Sequence, residues 1–200
     1  MPPGFVPPCI PTRAPKPPAG ADWVHEIKHD GYRLQVRRQG DVMRLFTRNG
    51  YDWSARYPAI SVTAALLRAK SFTLDGEAVV CGSDGVAVFD ALHRRGTVTE
   101  AMLYAFDLLE LDGEDLRTQP LVDRKKRLSR LLSGRRLGIV LSDHTDEDGA
   151  LLFVHACRMG LEGIVSKRLS APYRSGRSRD WLKVKNPDSP AMIRAREVEW

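Results

Sequence analysis

Short apolar runs separated by turn residues dominate this chain of 200 residues and limit the folds open to it. Pairs such as Gly40-Asp41 and Asp112-Gly113 mark tight turns between the runs. The pattern predicts more strands than helices, with many strands joined by short turns. It therefore favours an α+β fold with antiparallel sheets flanked by helices over a doubly wound parallel sheet. The predicted strands are 23–28, 32–38, 43–47, 72–81, 102–111, 137–141, 163–168 and 181–185, and the predicted helices are 57–70, 89–95, 121–132 and 146–159.

The first 22 residues differ in composition from the rest. Eight of the thirteen prolines lie within the first eighteen positions, so this segment cannot form a helix or a central strand. We expect residues 1–22 to form an extended arm, with Phe5, Val6 and Ile10 as candidate contacts to the core. The length suits one domain with a substantial core, predicted at residues 23–187, followed by a tail at 188–200.

Charge and cysteine content restrict the class of protein only loosely. The net charge of +6 and the pI of about 9.4 suit a polyanionic partner such as nucleic acid, but an ordinary basic surface explains them equally well. Cys9, Cys81 and Cys157 are scattered, which indicates neither a disulfide framework nor a zinc site and is typical of a reducing cytoplasm. No apolar run reaches membrane-spanning length, so we expect a cytoplasmic protein without membrane contact.

The segment from Glu26 to Arg33 gathers reactive side chains around one predicted turn. Asp30 and Gly31 break the chain between two extended runs, with Lys28 near the end of the first run and Arg33 at the start of the second. An amine nucleophile, a carboxylate for a divalent cation and a guanidinium for an anion thus converge on one loop. This combination indicates phosphate chemistry.

The same segment contains His25-Glu26-Ile27-Lys28-His29, which matches the zinc-protease pattern H-E-x-x-H. That pattern binds zinc only on a helix, where both histidines share one face. On the strand predicted here, residues four apart are separated by about 13 Å, too far to share one zinc ion. We therefore expect no zinc site at His25 and His29.

Four later segments carry polar or aromatic side chains within or beside apolar strands. Glu77 and Phe106 lie inside such runs, and Glu162 directly precedes a third. Lys183 and Lys185 alternate with apolar residues, which places both ammonium groups on one side of a strand, where they can grip a phosphate. Each residue also fits a structural role: an exposed Glu on an edge strand, a core aromatic, a solvated loop Glu and an exposed strand face.

Together, these segments resemble the motifs of the ATP-dependent DNA ligases, in that family's order. The segments read E-I-K-H-D-G-Y-R at 26–33, D-G-E at 75–77, Y-A-F-D-L-L at 104–109, E-G-I-V-S-K at 162–167 and W-L-K-V-K at 181–185. The sequences of these motifs are most similar to those in the ligase domain of bacterial end-joining DNA ligases. The resemblance implies the covalent nucleotidyltransferase (adenylation domain) fold, with its sheets around a nucleotide cleft.

The resemblance also implies roles for individual residues. Lys28 would attack the α-phosphorus of ATP to give a lysyl-AMP, and the AMP would pass to a 5′-phosphate in nicked or broken double-stranded DNA. Phe106 would stack on the adenine, and Glu26 or its neighbouring backbone would read the adenine edge. The full implied sets are nucleotide contacts from Glu26, Ile27, Arg33, Arg48, Glu77, Phe106, Arg177, Lys183 and Lys185, and a Mg²⁺ or Mn²⁺ site from Asp30, Glu77 and Glu162. Arg177 is one of three neighbouring arginines, with Arg174 and Arg179, among which the sequence does not choose.

The resemblance ends at Lys185. Full ligases continue into an OB-fold domain whose basic motif helps to orient pyrophosphate, but only fifteen residues follow Lys185 here. A domain needs roughly fifty residues or more, so we expect no OB-fold domain in this chain, and a separate chain or repair partner would have to supply one. Two alternatives to an active DNA ligase domain stay open. One is a non-catalytic ATP- or nucleic-acid-binding module of the same fold, and the other is an RNA ligase or guanylyltransferase.

Overall fold

The computed structural model describes residues 1–83, 86–94, 96–134 and 137–197. These residues form ten strands: β1 Cys9–Arg13, β2 Trp23–Ile27, β3 Tyr32–Gln39, β4 Val42–Thr47, β5 Ser71–Val79, β6 Met102–Leu111, β7 Glu114–Asp115, β8 Ile139–Leu141, β9 Gly163–Arg168 and β10 Gly176–Lys185. They also form five helices: α1 Pro58–Ala65, α2 Phe89–Leu92, α3 Leu121–Leu131, α4 Gly149–Arg158 and α5 Pro190–Glu197. No helix among them is long and apolar enough to cross a membrane.

The strands build two sheets, as the α+β prediction requires. One has four strands in the order β1-β10-β9-β2, and the other has six, in the order β4-β3-β5-β6-β7 with β8 also beside β6. Most pairs are antiparallel, but β1 with β10 and β6 with β8 are parallel. The sheets are therefore mixed, which departs from the purely antiparallel expectation. Both parallel partners are far apart in sequence, where a long connection allows two strands to run in the same direction.

The loop from Lys28 to Gly31 joins the two sheets. β2 pairs with β9 in the four-stranded sheet, whereas β3 pairs with β4 and β5 in the six-stranded sheet, so these two strands do not form a hairpin. Gly31 is needed for close approach, because a Cβ there would lie 2.1 Å from the carbonyl oxygen of Ala78 on β5. The loop thus crosses from one sheet to the other and leaves Lys28 between them.

The apolar core is divided unequally between the sheets. A cluster of 20 buried residues packs the six-stranded sheet against α1 and α3, with Leu34, Leu74 and Leu103 fully buried. Two smaller clusters, of four and three buried residues, serve the four-stranded sheet and α4. The larger core therefore fixes one wall of the space between the sheets.

Most predicted elements are present with shifted ends. The prediction for β9 matches its bounds, while β10 begins five residues before the predicted start because its first half pairs with β1. The proline-rich arm contains edge strand β1, which agrees with an extended arm that cannot be a central strand. Helix α5 occupies the predicted tail and was missed. Arg95, the predicted end of the second helix, lies outside the described residues.

Candidate active site

A cleft of about 680 Å³ lies between the two sheets, within the usual size of small-molecule sites. Strands β2, β9 and β10 form one wall and β3, β5 and β6 form the other. The cleft brings together most of the residues singled out from the sequence: Glu26, Ile27, Lys28, Asp30, Arg33, Arg48, Glu77, Phe106, Glu162, Lys183 and Lys185. Segments separated by more than 150 residues in sequence thus meet in one site.

Lys28 lies at the centre of an ion-pair group. It follows β2 directly, and its backbone N–H donates to the carbonyl oxygen of Gly163 at 2.9 Å. Its Nζ contacts Oε2 of Glu162, whose Oε1 lies 3.2 Å from Nζ of Lys185. Glu162 is 7% exposed and bridges the two ammonium groups. The nucleophile candidate is therefore held at the cleft wall by a buried carboxylate.

Lys183 and Arg48 add positive charge to the same region. Both line the cleft, Lys183 from β10 and Arg48 from the turn after β4. Burial lowers the pKa of Lys183, and the nearby positive charges of Lys185, Lys28 and Arg48 lower it further. Such a cluster of cations favours an anionic ligand, which relieves their mutual repulsion.

Asp30 is paired with a residue that the sequence did not single out. Its Oδ2 contacts Nη2 of Arg194 on α5, whose guanidinium carbon also lies 4.6 Å from the ring centroid of Phe89. Burial raises the pKa of Asp30, and the charge of Arg194 opposes that rise. Helix α5 thus contributes to the site, with Ala191 also lining the cleft.

The three predicted metal ligands share the cleft but are not assembled as a metal centre. Among the described residues, no group of three or more His, Cys, Asp or Glu side chains is arranged to hold a metal ion. Glu162 and Asp30 are occupied by Lys and Arg, while Glu77 has no ion pair with a described residue. Carboxylate oxygens at one cleft suit a hard cation such as Mg²⁺ chemically. Binding there requires the present ion pairs to open.

Glu77 lies in a central strand, so it is not the exposed edge residue of the structural alternative. It stands on β5 between β3 and β6, opposite Arg33 and Tyr104. Burial raises the pKa of Glu77 to about 7, although the charges of Lys28 and Arg33 oppose this. A half-neutral carboxylic acid in the cleft can act as hydrogen-bond donor or acceptor near neutral pH.

At the other end of the cleft, Glu26 is enclosed by two lysines. Its Oε1 is 2.7 Å from Nζ of Lys125 on α3, and its Oε2 is 2.8 Å from Nζ of Lys167 on β9. Burial alone would raise the pKa of Glu26, but the two ammonium groups outweigh it and lower the pKa. Burial lowers the pKa of Lys167 to about 8. Both carboxylate oxygens are thus engaged, which leaves the neighbouring backbone better placed to read a base.

Phe106 packs against a small core cluster and also lines the cleft. It is half-buried, lines the cleft and meets Trp181 edge-on, with ring centroids 5.9 Å apart. Nζ of Lys167 lies 4.0 Å from the ring centroid and the guanidinium carbon of Arg33 lies 4.8 Å from it. These cation–π contacts hold the ring in place, as a stacking surface requires.

Arg33 is held by a carboxylate that the sequence reading did not use. Its Nε and Nη2 donate to the two oxygens of Asp75 at 2.8 and 2.7 Å, and the hydroxyl of Tyr173 donates to Asp75 at 2.6 Å. Asp75 is fully buried. Arg33 therefore borders the cleft as a fixed positive charge beneath Phe106, and its predicted contact with nucleotide stays a prediction.

The structure does not bring Arg177 into the cleft. Arg177 lies near the start of β10 opposite Ile10, and neither it nor Arg174 or Arg179 lines the cleft. Arg177 pairs with Ile10 and Lys183 pairs with Arg13 on β1, and the register of β10 shifts between these two pairs. The contact of Arg177 with nucleotide therefore stays a prediction.

The zinc-protease pattern has no zinc geometry. His25 is buried on β2, where its Nδ1 lies 2.8 Å from the hydroxyl of Ser166. His29 lies beyond the strand and stacks on Tyr104, with ring centroids 4.1 Å apart. The two rings contact different neighbours, and the expectation of no zinc site at this pair stays a prediction.

Comparison with known proteins identifies the family. The sequence model of the ATP dependent DNA ligase domain matches residues 14–185. This chain belongs to the ATP-dependent DNA ligase family. The multifunctional non-homologous end joining protein LigD of Pseudomonas aeruginosa is 40% identical over 191 residues, covering 92% of this chain and 22% of that protein. The bifunctional LigD of Bacillus subtilis is 33% identical, covering 88% of this chain and 33% of that protein.

Solved structures agree with the family assignment. A mycobacterial DNA ligase D complexed with ATP superposes with a TM-score of 0.77 at 34% identity, covering 89% of this chain and 59% of that one. The ligase domain of Mycobacterium tuberculosis LigD gives a TM-score of 0.76 at 34% identity, covering 89% and 58%. The nucleotidyltransferase fold predicted from the motifs is confirmed. The chain spans about a fifth to a third of the length of its LigD relatives.

Several site residues escaped the sequence reading. Lys167 closes the quoted motif at 162–167 but received no role, and Lys125 lies in a helix that read only as basic and amphipathic. Asp75 begins the quoted D-G-E motif, two residues before Glu77, but was likewise given no role. A signal existed for Lys167 and Asp75, since both are charged residues within apolar strands. No local signal marked Lys125 or Arg194.

Proposed function

We propose that this chain is the adenylation domain of an ATP-dependent DNA ligase that forms a covalent lysyl-AMP at Lys28. The observation that carries the proposal is the position of Lys28 inside a cleft shared with Glu162, Lys183, Lys185 and Phe106. A family assignment alone would leave activity open, whereas this arrangement supplies a nucleophile, phosphate-binding cations and a base-stacking ring together.

In the proposed reaction, ATP lies with its adenine against Phe106 and its triphosphate towards Lys183 and Lys185. The Lys28–Glu162 ion pair opens, and Lys28 loses its proton to solvent, because only the neutral amine is a nucleophile. Nζ then bonds to the α-phosphorus while the bond to pyrophosphate breaks. Lys183 and Lys185 stabilise the charge on the phosphate oxygens. Mg²⁺ or Mn²⁺ bound by Asp30, Glu77 and Glu162 would supply neutralisation of the phosphate charge.

The AMP would next pass to the 5′-phosphate of nicked or broken double-stranded DNA in repair. The chain's basic charge and its likeness to proteins named for non-homologous end joining support this substrate class. We further propose action in the cytoplasm and cooperation with an OB-fold domain on another chain or with other repair proteins.

Intact mass spectrometry tests the first step. Incubation with ATP and Mn²⁺ should add the mass of one AMP, GTP should add nothing, and Lys28→Ala should abolish the addition. A second candidate function is a non-catalytic nucleotide-binding module, which is favoured by the ion pairs that occupy Asp30 and Glu162. Unchanged mass in the wild-type protein, even with an OB-fold domain supplied separately, would select that alternative.

A further inference from the structure

The proline-rich arm contacts both sheets. Its strand β1 pairs with β10 at the edge of the four-stranded sheet. The residues before β1 lie against the six-stranded sheet, where the side chain of Gln35 on β3 accepts from the backbone N–H of Val6 at 3.1 Å and donates to the carbonyl oxygen of Val6 at 2.5 Å. The ring of Phe5 meets Phe46 on β4 edge-on, with centroids 5.9 Å apart. One continuous segment therefore ties the two walls of the cleft together.

A buried chain of hydrogen bonds runs from the arm into the six-stranded sheet. The backbone N–H of Cys9 donates to the hydroxyl oxygen of Tyr173 at 2.9 Å, and that hydroxyl donates to Asp75 on β5 at 2.6 Å. Asp75 in turn accepts from Nε and Nη2 of Arg33. Cys9, Tyr173 and Asp75 are all buried, and burial raises the pKa of Tyr173, so its hydroxyl keeps the one proton that it donates. The hydroxyl of Tyr173 is thus the junction between the arm and Arg33.

This chain of hydrogen bonds ends beside the aromatic face of the cleft. The guanidinium carbon of Arg33 lies 4.8 Å from the ring centroid of Phe106 and 5.7 Å from that of Trp181. The ring of Tyr173 itself meets Trp181 edge-on, with centroids 5.9 Å apart. Ile10 of the arm lines the cleft directly. The arm therefore borders the cleft and, through Tyr173, also supports the side chains around Phe106.

The two walls carry different parts of the site. Lys28, Lys183 and Lys185 lie on strands of the four-stranded sheet or directly after one, whereas Phe106 and Arg33 lie on strands of the six-stranded sheet. A nucleotide that stacks on Phe106 and places its phosphates at the lysines spans both walls, so its affinity depends on their spacing. The nucleophile and the two lysines of β10 share one wall, so their mutual arrangement does not depend on that spacing.

We propose that the arm holds the two walls at the spacing that ATP needs, and that Tyr173 is a positioning residue that links the arm to Arg33 and the ring of Phe106. The inference rests on the proposed function, which places the adenine against Phe106. Without the hydroxyl of Tyr173, Cys9 and Asp75 each lose a buried partner, and ATP has to order this wall as it binds. The cost falls on ATP affinity, while the rate of AMP attachment at saturating ATP is preserved.

Calorimetric titration in a Lys28→Ala background, where no adduct forms, tests the proposal with two ligands. Tyr173→Phe should weaken ATP binding about threefold to tenfold, the equivalent of one hydrogen bond, and should leave the affinity for tripolyphosphate, which has no base, unchanged. Tyr57→Phe, the matched control, removes a hydroxyl from a fully buried tyrosine of the large core and should leave both affinities unchanged. Urea unfolding checks that each variant is folded.

Removal of residues 1–7 gives a second variant, which keeps β1 and Tyr173. It should also weaken the binding of ATP but not that of tripolyphosphate. Combined with Tyr173→Phe, it should weaken ATP binding by less than the product of the two separate effects, because both changes loosen the same spacing. Equal losses for both ligands, unchanged ATP affinity in both variants, or effects that multiply in full would overturn the proposal.

Single-turnover AMP attachment separates this inference from the proposed function. In proteins that keep Lys28, Tyr173→Phe should raise the ATP concentration for half-maximal rate and leave the maximal rate unchanged. A lower maximal rate with the same half-saturating concentration would contradict a role in positioning the base. Adduct formation without a difference between ATP and tripolyphosphate rejects this inference alone. That difference without any adduct rejects the proposed covalent step alone.

Discussion

The two sheets that enclose the cleft hold their buried carboxylates in different ways. In the six-stranded sheet, two fully buried carboxylates are each bound by an arginine: Arg33 binds both oxygens of Asp75, and Arg124 binds both oxygens of Asp107 at 2.8 and 2.9 Å. In the four-stranded sheet, Glu26 and Glu162 each lie between two lysines.

This difference distinguishes carboxylates that hold the fold together from carboxylates that take part in the proposed reaction. An arginine fork is planar, always charged and geometrically fixed, so it suits a permanent wall. A lysine is a point charge on a flexible stem that can release its partner and lose its proton. The six-stranded sheet also carries the larger apolar core, which allows it to act as the rigid side. We infer that the lysine-held carboxylates lie where the site must rearrange.

The largest expected effect comes from Lys28→Arg, which keeps the positive charge but removes the nucleophile. AMP attachment should fall by at least about 1,000-fold, because a guanidinium does not deprotonate. Stability should change by less than about 1 kcal/mol, since the pair with Glu162 is preserved in kind. Phosphorimaging of labelled protein and urea unfolding measure the two quantities. Lys16→Arg, an exposed lysine of the arm, is the control, and unchanged labelling of Lys28→Arg would contradict the assignment.

The next largest effect is the loss of stability when a bidentate arginine–carboxylate pair is broken. Asp107→Asn leaves the fully buried Arg124 without its counter-charge and should destabilise the fold by about 3–5 kcal/mol. Glu162→Gln should destabilise the fold less than Asp107→Asn does, because the partly exposed Lys28 and Lys185 can turn to water, yet it should impair AMP attachment strongly. Urea unfolding compares the two variants. Equal destabilisation would break the distinction between forks and lysine pairs.

A smaller effect is expected at the stacking ring. Phe106→Leu keeps an apolar side chain but removes the aromatic face, and it should weaken ATP binding by about 1–3 kcal/mol. Calorimetric titration of ATP into a Lys28→Ala background, where no adduct forms, measures the affinity. Phe153→Leu on α4, outside the cleft lining, is the matched control. Equal affinity for ATP in Phe106→Leu and its parent would show that the base lies elsewhere.

The last prediction concerns pH and Glu77. Its pKa is raised from 4.5 to about 7, so the folded state binds more protons than the unfolded state between these values. The resulting stabilisation is fully present below the lower value and is lost as the pH rises through the upper one. The free energy of unfolding should therefore decrease from about pH 5 to about pH 8, and Glu77→Gln should reduce that decrease. An identical pH dependence in both proteins would exclude Glu77 as its source.

The sequence predicted those parts of the fold and site that depend on residues close together in the chain. Strand β9 and the alternation of Lys183 with Lys185 follow from apolar periodicity, and the position of Lys28 follows from the turn at Asp30. The parallel partner of β10 and the pairing of Lys125 with Glu26 were out of reach, because both depend on contacts between distant segments. Helix α5 was missed for a related reason: its attachment to Asp30 is a tertiary contact.

The most direct test of the covalent step is to determine which phosphate of ATP remains attached to the protein. With Mg²⁺ or Mn²⁺ present, ATP labelled in the α-phosphate should leave its label on a peptide containing Lys28, and ATP labelled in the γ-phosphate should leave none. Label retained from the γ-phosphate, or α-label attached to a different residue, would contradict the account.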